Sequence, residues 1–475
     1  MRKLLLINTN TEKAPYPVPP VGLCMLASAV ASRYEVRLYD GAFDEGTGLP
    51  EILRTFHPDF IGFSIRNIDD IVMDRNIYYP DAIIRRFIEP VKKLTSAPLI
   101  LGGSGFSMFP EELIKITGAD WGIRGEGEEV LPALLERIEK GTARDLPRVL
   151  TAADLRTGPE PVLLPGGRKP FAEIDRYLDF GPYKTKGAYG IQTKRGCSHG
   201  CIYCTYPVIE GKSFRARPAT DIVEEIQQAS DRLGDVTFEF VDSTFNEPEG
   251  HAESICREII RRKIRPRLRT MGIHPRHASR ELFELMREAG FAQIDATPDS
   301  ASPAVLRNLD KGFGREDIRK MARLIREADL PTMWFFLFGG PGENEQTIGE
   351  TRAFIEEYIH PDDLVYLNSG LRIYPNTPLQ EIAVKEGRIR QEDSLLYPPV
   401  YYFSEALGKE GTDRLTRSIS EKLPNCLPAL ETAPPPEMVQ EALSIRQQHR
   451  LTEPMFRTLV RIRREWIKNG KLTVG

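Results

Sequence analysis

Cys197, Cys201 and Cys204 stand in one short run, Lys194-Arg195-Gly196-Cys197-Ser198-His199-Gly200-Cys201-Ile202-Tyr203-Cys204. Three residues separate the first pair and two separate the second. Three thiolates on one loop can hold three corners of a cubic iron–sulfur cluster. Such a cluster keeps its fourth iron open to a small molecule, and an open metal position marks a reactive site. Structural zinc is the competing reading, but it needs four ligands, usually in paired units. His199 is the nearest fourth candidate, and it lies inside the loop, where ring geometry opposes a chelate. Cys24, Cys256 and Cys426 stand alone in apolar or helical contexts and read as small buried hydrophobes.

The elements that position this loop alternate along the chain. From the N-terminus, strands are predicted over 4–8, 35–39, 60–64, 99–101 and 121–123, with helices over 22–33, 81–93, 111–116 and 128–139 between them. That alternation predicts a parallel sheet with crossover helices, a doubly wound α/β domain that binds ligands at its strand carboxyl ends. Three turns mark those ends: Ser64-Ile65-Arg66-Asn67, Gly102-Gly103-Ser104-Gly105-Phe106, and Gly125-Glu126-Gly127. Their glycines read either as tight turns with positive φ or as close approach of backbone to a flat or phosphorylated ligand. The spacing is not GxGxxG and the glycines follow the fourth strand, which argues against a nicotinamide cofactor.

After a proline- and glycine-rich stretch, strands recur at 190–193, 237–241, 267–272, 293–297, 332–338 and 363–374. These predict a barrel or partial barrel whose chemistry sits on loops at the strand carboxyl ends. The cysteine loop follows the first of them. Asp242 and Ser243 end the second, Thr297, Asp299 and Ser300 the fourth, Gly340 the fifth and Arg372 the sixth. Asp242 also reads as a helix N-cap.

The cysteine spacing, with the aromatic Tyr203 just before the last cysteine, resembles the signature of radical SAM enzymes. The N-terminal turns and the Pro17-Val18-Pro19-Pro20-Val21-Gly22-Leu23 segment resemble the cobalamin-binding domain that precedes many of them. The resemblance implies a [4Fe-4S] cluster on Cys197, Cys201 and Cys204, with S-adenosyl-L-methionine on the open iron. Tyr203 and Gly340 would then lie near adenine, Asp242 or Ser243 near the methionine amino group, and Thr297, Asp299 and Ser300 near the carboxylate or ribose. Arg372 would reach the methionine carboxylate or the substrate. Cobalamin would lie on Ser64, Ile65, Asn67, Gly102, Gly103, Ser104, Gly105, Phe106, Gly125, Glu126 and Gly127. Asp40-Gly41-Ala42-Phe43-Asp44 carries no histidine to serve as a lower axial ligand. The resemblance therefore implies that the cofactor's own base is pulled away and tucked beneath the sheet. It also makes Arg66 the catalytic expectation: a permanent cation under cobalt that discourages water from ligating. The competing reading is a solvated loop arginine.

The expected architecture is thus an N-terminal Rossmann-like cobalamin-binding domain (1–145), a linker (146–185), a partial (β/α)6 radical SAM barrel (186–400) and a helical C-terminal segment (401–475). With 64 basic and 68 acidic residues and a pI near 6.1, the chain has no electrostatic footprint for nucleic acid. No apolar run reaches the length of a membrane span, and cysteine usage fits a reducing cytoplasm. The function implied is a cobalamin-dependent radical SAM methyltransferase. It would move a methyl group from S-adenosyl-L-methionine by way of methylcobalamin to a carbon or phosphorus centre. The subgroup resembled includes tryptophan 2-C-methyltransferases and P-methyltransferases. A polar, non-radical methyl transfer and a rearrangement or ring formation without methyl transfer are the alternatives. The partners implied are a small-molecule, peptide or lipid substrate and an external low-potential electron donor.

Overall fold

The computed structural model describes all residues except 15, 74, 76, 143–145, 147, 154, 156–171, 430–432 and 473–475. The expected proline-rich heart of the linker therefore lies outside the described residues. The first sheet contains β1 (Arg2–Asn8), β2 (Tyr34–Asp40), β3 (Phe60–Ser64), β4 (Leu99–Gly102), β5 (Trp121–Ile123) and β6 (Val149–Leu150). Its order is β2-β1-β3-β4-β5-β6, parallel except for β6, an antiparallel edge strand that the sequence reading did not contain. Strand order reverses beside β1, so a crevice opens at the carboxyl ends of β1 and β3. Alternation along the strands feeds two cores. Leu4, Leu6 and Ile100 pack with Leu23, Ala27 and Leu134 on one face, while Leu5, Ile7 and Phe63 pack with Leu53, Phe87 and Leu113 on the other.

The second sheet begins at β7 (Tyr189–Ile191). The cysteine loop then folds back as a short hairpin, β8 (Lys194–Arg195) against β9 (Arg215–Ala216). The sheet continues through β10 (Thr237–Phe240), β11 (Arg267–Ile273), β12 (Phe291–Asp299), β13 (Thr332–Phe338) and β14 (Leu364–Ser369). Beyond Gly370, at φ 83, the chain leaves the sheet. β15 (Leu371–Arg372) pairs instead with β16 (Tyr401–Tyr402), so the single strand expected over 363–374 is two elements. β17 (Cys426–Pro428), from the segment expected to be helical, adds a further parallel strand beside β14. The result is seven parallel strands, β17-β14-β13-β12-β11-β10-β7, without closure between the end strands.

Thr332, Trp334, Phe336 and Phe338 of β13 are buried beneath the outer helices, whereas Met333, Phe335 and Leu337 between them are only half-buried. β12 repeats this alternation. The outward faces are packed against helices, and the inward faces are only half-buried. The C-terminal helices Gly408–Lys422, Pro436–His449 and Met455–Lys468 close the far side, where Arg457 Nη2 pairs with the buried Asp363 at 2.9 Å. Cys24, Cys256 and Cys426 are fully buried, as read from their contexts.

Candidate functional site

The cysteine loop is shaped by contacts that leave no room for side chains. Gly196, at φ 86, lies so close to Ser213 that a Cβ would stand 2.1 Å from its carbonyl oxygen. At Gly200 a Cβ would stand 2.1 Å from Asp310 Oδ2. Backbone bonds from Cys197 N to Gly211 O (3.1 Å) and from Ile202 N to Leu309 O (3.2 Å) fix the loop's two ends. All six cysteines of the chain are free. Burial pushes the thiols of Cys197 and Cys201 up and that of Cys204 to about 12, and the three influence one another electrostatically. Three unbridged, mutually close thiols that are reluctant to ionise in apolar surroundings suit a metal cluster, which deprotonates its ligands on binding.

Beside Cys201 lies a buried polar knot. Lys311 Nζ donates to Asp299 Oδ2 at 2.6 Å and to Tyr203 Oη at 3.2 Å, and the Tyr203 hydroxyl also donates to Asp299. Asp299 holds this position with φ +65, a conformation few non-glycine residues adopt. Lys311 belongs to the loop Leu309-Asp310-Lys311-Gly312-Phe313 that follows β12. On the other side, His199 pairs with Glu247, and His277 Nε2 and His274 Nδ1 stand 3.4 and 3.7 Å from Glu247 Oε1. The rings of His199 and His274 stack at 4.2 Å. Burial pushes His274 down to about 4. Ligand atoms of His199, Glu247 and His274 lie within 4.8 Å of one another. Sequence reasoning missed this group because its members come from three separate strand-end loops; the run Phe245-Asn246-Glu247 beside Ser243 was the available signal.

At the barrel rim, Ser243 Oγ donates to Gly196 O at 3.2 Å, which places it against the cysteine loop. Thr297 Oγ1 comes within 3.7 Å of where a Cβ on Gly272 would stand. Several expectations need correction. Asp242 is spent: its Oδ1 accepts from the backbone N of Thr193 (2.8 Å) and Lys194 (3.2 Å), and Lys194 Nζ lies 3.4 Å from Oδ2. It ties β7 to β10 and has no lone pair aimed at a ligand. Ser300 is fully buried and pairs with Thr351 at 3.2 Å. Gly340 turns its N–H onto Glu343 and packs near Leu309. Arg372 donates to Asp69 Oδ2 (2.9 Å), Ile373 O (2.6 Å) and Leu395 O (2.6 Å), so its donors are engaged in pinning the two domains together.

In the first domain the turns after β3 and β4 press against each other. A Cβ on Gly103, at φ +103, would meet Ile65 O at 2.6 Å, and one on Gly105 would meet Arg66 O at 2.7 Å. These glycines admit a neighbouring turn on their Cβ side. Ile65 and Phe106 are fully buried core residues and do not face the crevice. Cavities open on either side of the ridge so formed. One, of about 260 Å³, is lined by Ser64, Gly102, Gly103, Ser104, Gly125, Glu126 and Gly127 and by apolar residues of the sheet and helices. The other, of about 290 Å³, is lined by Arg66, Asn67, Ser104, Gly105 and Tyr374 among others. Arg66 is exposed to it. Glu126 reaches across the domain boundary, with Arg215 Nη2 at 2.6 Å and Arg195 Nη1 at 3.2 Å, so its carboxylate latches the domains. A largely apolar cavity beside a polar one suits a corrin ring with a detached base.

Residues 191–355 match the model of the radical SAM superfamily, and residues 7–135 match that of the B12 binding domain. A tryptophan 2-C-methyltransferase of Streptomyces laurentii is 26% identical over 79% of this chain and 74% of its own length. A bacteriochlorophyllide d C-12(1)-methyltransferase of Chlorobaculum tepidum is 24% identical over 81% of this chain and 78% of its own. The fold is that of the radical S-adenosylmethionine methyltransferase TsrM from Kitasatospora setae, solved with cobalamin and a [4Fe-4S] cluster bound. The TM-score is 0.81 at 24% identity, covering 99% of this chain and 100% of that one. The chain thus carries a B12-binding region, residues 7–135, ahead of a radical SAM region, residues 191–355.

Proposed function

We propose that this protein is a cobalamin-dependent methyltransferase that moves a methyl group from S-adenosyl-L-methionine to a carbon or phosphorus centre of a small molecule. The observation that carries this reading is the shared wall between the two halves. Thr205, Ile209 and Glu210, on the turn and helix that follow Cys204, line the same cavities as Arg66 and the Gly102–Ser104 turn. Groups held on the cysteine loop and in the crevice therefore face one another across a narrow gap.

When bound, the cluster supplies electrons to S-adenosyl-L-methionine and cobalamin supplies a carrier for the methyl group. The chain's own residues hold and orient these partners. Cys197, Cys201 and Cys204 are the cluster ligands. Tyr203, Asp299 and Lys311, with Ser243 and Thr297, form the rim on which S-adenosyl-L-methionine lies. Arg66 would present a fixed positive charge to a corrin held in that cavity and offers no lone pair. Asn67, Ser64, Ser104, Gly125 and Gly127 line the crevice that takes the ring and its base. The tight seam between the domains, with Arg195, Arg215 and Arg372 each ion-paired across it, excludes water. The reading implies an external low-potential donor and a reducing compartment, the cytoplasm, which the six unpaired cysteines also suit. No described helix is long and apolar enough to cross a membrane.

The test is anaerobic reconstitution with iron, sulfide and cobalamin, reduction with a low-potential donor such as titanium(III) citrate, and then addition of S-adenosyl-L-methionine carrying a deuterated methyl group. Labelled methylcobalamin on the protein is expected, and its absence overturns the reading. A polar, non-radical methyl transfer is the second reading, as the resemblance to the tryptophan-methylating subgroup implies. Release of 5′-deoxyadenosine with methylated product marks the radical route, and methylated product without it marks the polar one.

A further inference from the structure

Inside the barrel, beneath the rim, inward-facing residues from four strands meet around a group that none of the cofactors uses. Glu239 of β10, Arg269 of β11, Asp295 of β12 and Tyr366 of β14 converge there, joined by Tyr16 from the segment that follows β1. The Tyr16 hydroxyl donates to Glu239 Oε1 at 2.7 Å. Arg269 Nε pairs with the same oxygen at 2.7 Å, and its guanidinium lies 3.9 Å from the centre of the Tyr16 ring. Arg269 Nη2 is buried without a hydrogen-bond partner among the described residues. Gln293 Nε2 donates to Asp295 Oδ1 at 3.2 Å and lies 3.0 Å from Met333 Sδ. Gly190, opposite Glu239 in register, has no side chain, which leaves room for the Tyr16 segment to enter; a Cβ there would meet Val21 at 2.7 Å.

The charges do not balance. Two carboxylates, Glu239 and Asp295, face one guanidinium, and the remaining neighbours are phenols, an amide and a thioether. Burial and the nearby Glu239 carboxylate outweigh Gln293 and Arg269 and push Asp295 up to about 7. A half-buried acid whose proton is held up to neutral pH beside a second acid, on the inward face of the sheet, is a place short of one cation. Above it on the inward faces stand the half-buried Phe335 and Leu337 and Met271, the last 42% exposed in spite of its inward strand position. Asp299, at the rim, lies four residues further along β12, or about 13 Å at strand spacing.

We propose that the lumen floor at Glu239, Arg269 and Asp295 is a subsite for the ammonium group of an elongated amine substrate whose apolar stem rises to the rim. This rests on the methyltransferase reading above and names the substrate class for it. On binding, the ammonium pairs with Asp295 and Glu239, and Asp295 gives its proton to solvent.

The probe is n-octylamine, titrated calorimetrically into the cobalamin-loaded protein in buffers of different ionisation enthalpy, with 1-octanol as the uncharged control. Octylamine is expected to bind at least tenfold more tightly than octanol, with proton release near neutral pH. Asp295→Asn mimics the protonated acid and keeps the bond from Gln293 only if its amide turns, so folding is checked by circular dichroism. It is expected to weaken octylamine about tenfold, the worth of a charged hydrogen bond, and to leave octanol unchanged. Glu239→Gln is the second variant and is expected to act in the same direction. Equal binding of amine and alcohol, no binding of either, or variants that bind octylamine as the parent does would each overturn the proposal. Methylation of cobalamin is read without any lumen ligand, so failure here and failure of the methyltransferase reading are separate results.

Discussion

Lys311 acts on three acidic groups at once, Asp299, Tyr203 and Cys201. A buried ammonium with a carboxylate at 2.6 Å is stable only as a pair, because either charge alone in that position loses its hydration without compensation. Lys311→Met is expected to destabilise the protein by about 3–5 kcal/mol, read from denaturant unfolding of the apoprotein. Adding Asp299→Asn should recover part of that loss, and a double variant as unstable as the single one would contradict the pairing. Cys201→Ala is a different kind of change. It should abolish iron loading while leaving corrinoid absorption intact, since no cysteine lines either crevice cavity. The cysteines and Tyr203 were legible in the sequence because their chemistry depends on local spacing. Lys311, Glu247 and His274 were not, because each gains its partner from another strand end.

Among the elements, the strand-end turns show how glycine is used. Gly103 was legible as a special position, but the sequence left open whether backbone or ligand approached it; the structure puts Ile65 O there. Gly103→Ala combines a strained φ with that contact and should loosen the ridge between the cavities. Corrinoid affinity is expected to fall tenfold or more, with iron content unchanged. The turn after β13 carries a different load. Glu343 is fully buried, its Oε2 accepts from the Gly339 and Gly340 N–H groups, and its Oε1 has no partner among the described residues. Burial pushes its carboxyl up to about 7 against the pull of those two bonds. The native state therefore binds this proton more tightly than the unfolded chain, so stability falls as pH rises from the ordinary carboxylate range through 7. Glu343→Gln keeps an oxygen for both N–H groups and removes the titration. The variant is expected to gain on the parent steadily between pH 5 and 8 in parallel urea titrations; a pH-independent difference would show that the acid is ionised throughout.

Across the whole molecule, the domains are held by bonds between residues far apart in sequence: Arg372 with Asp69, Arg195 and Arg215 with Glu126, Tyr183 with Asp40, and Tyr16 with Glu239. Arg372→Met strands the buried Asp69 carboxylate and should open the seam, giving faster limited proteolysis between the domains and a larger radius of gyration. Unchanged cleavage would show that the pin is dispensable. By itself the sequence determined the two alternating α/β halves and the three-thiolate loop, because periodicity and ligand spacing are properties of short segments. It also identified the turns that carry Arg66 and Ser64. The tertiary structure decided which of those residues face a cavity. Asp242, Ser300 and Arg372 share the strand-end position that marked them as candidates. Position along a strand says how high a residue stands, whereas the loops packed on either side decide whether its polar atoms are already bonded. The same packing set Tyr16 inside a barrel to which its own domain does not belong, and brought the cysteine loop against the crevice.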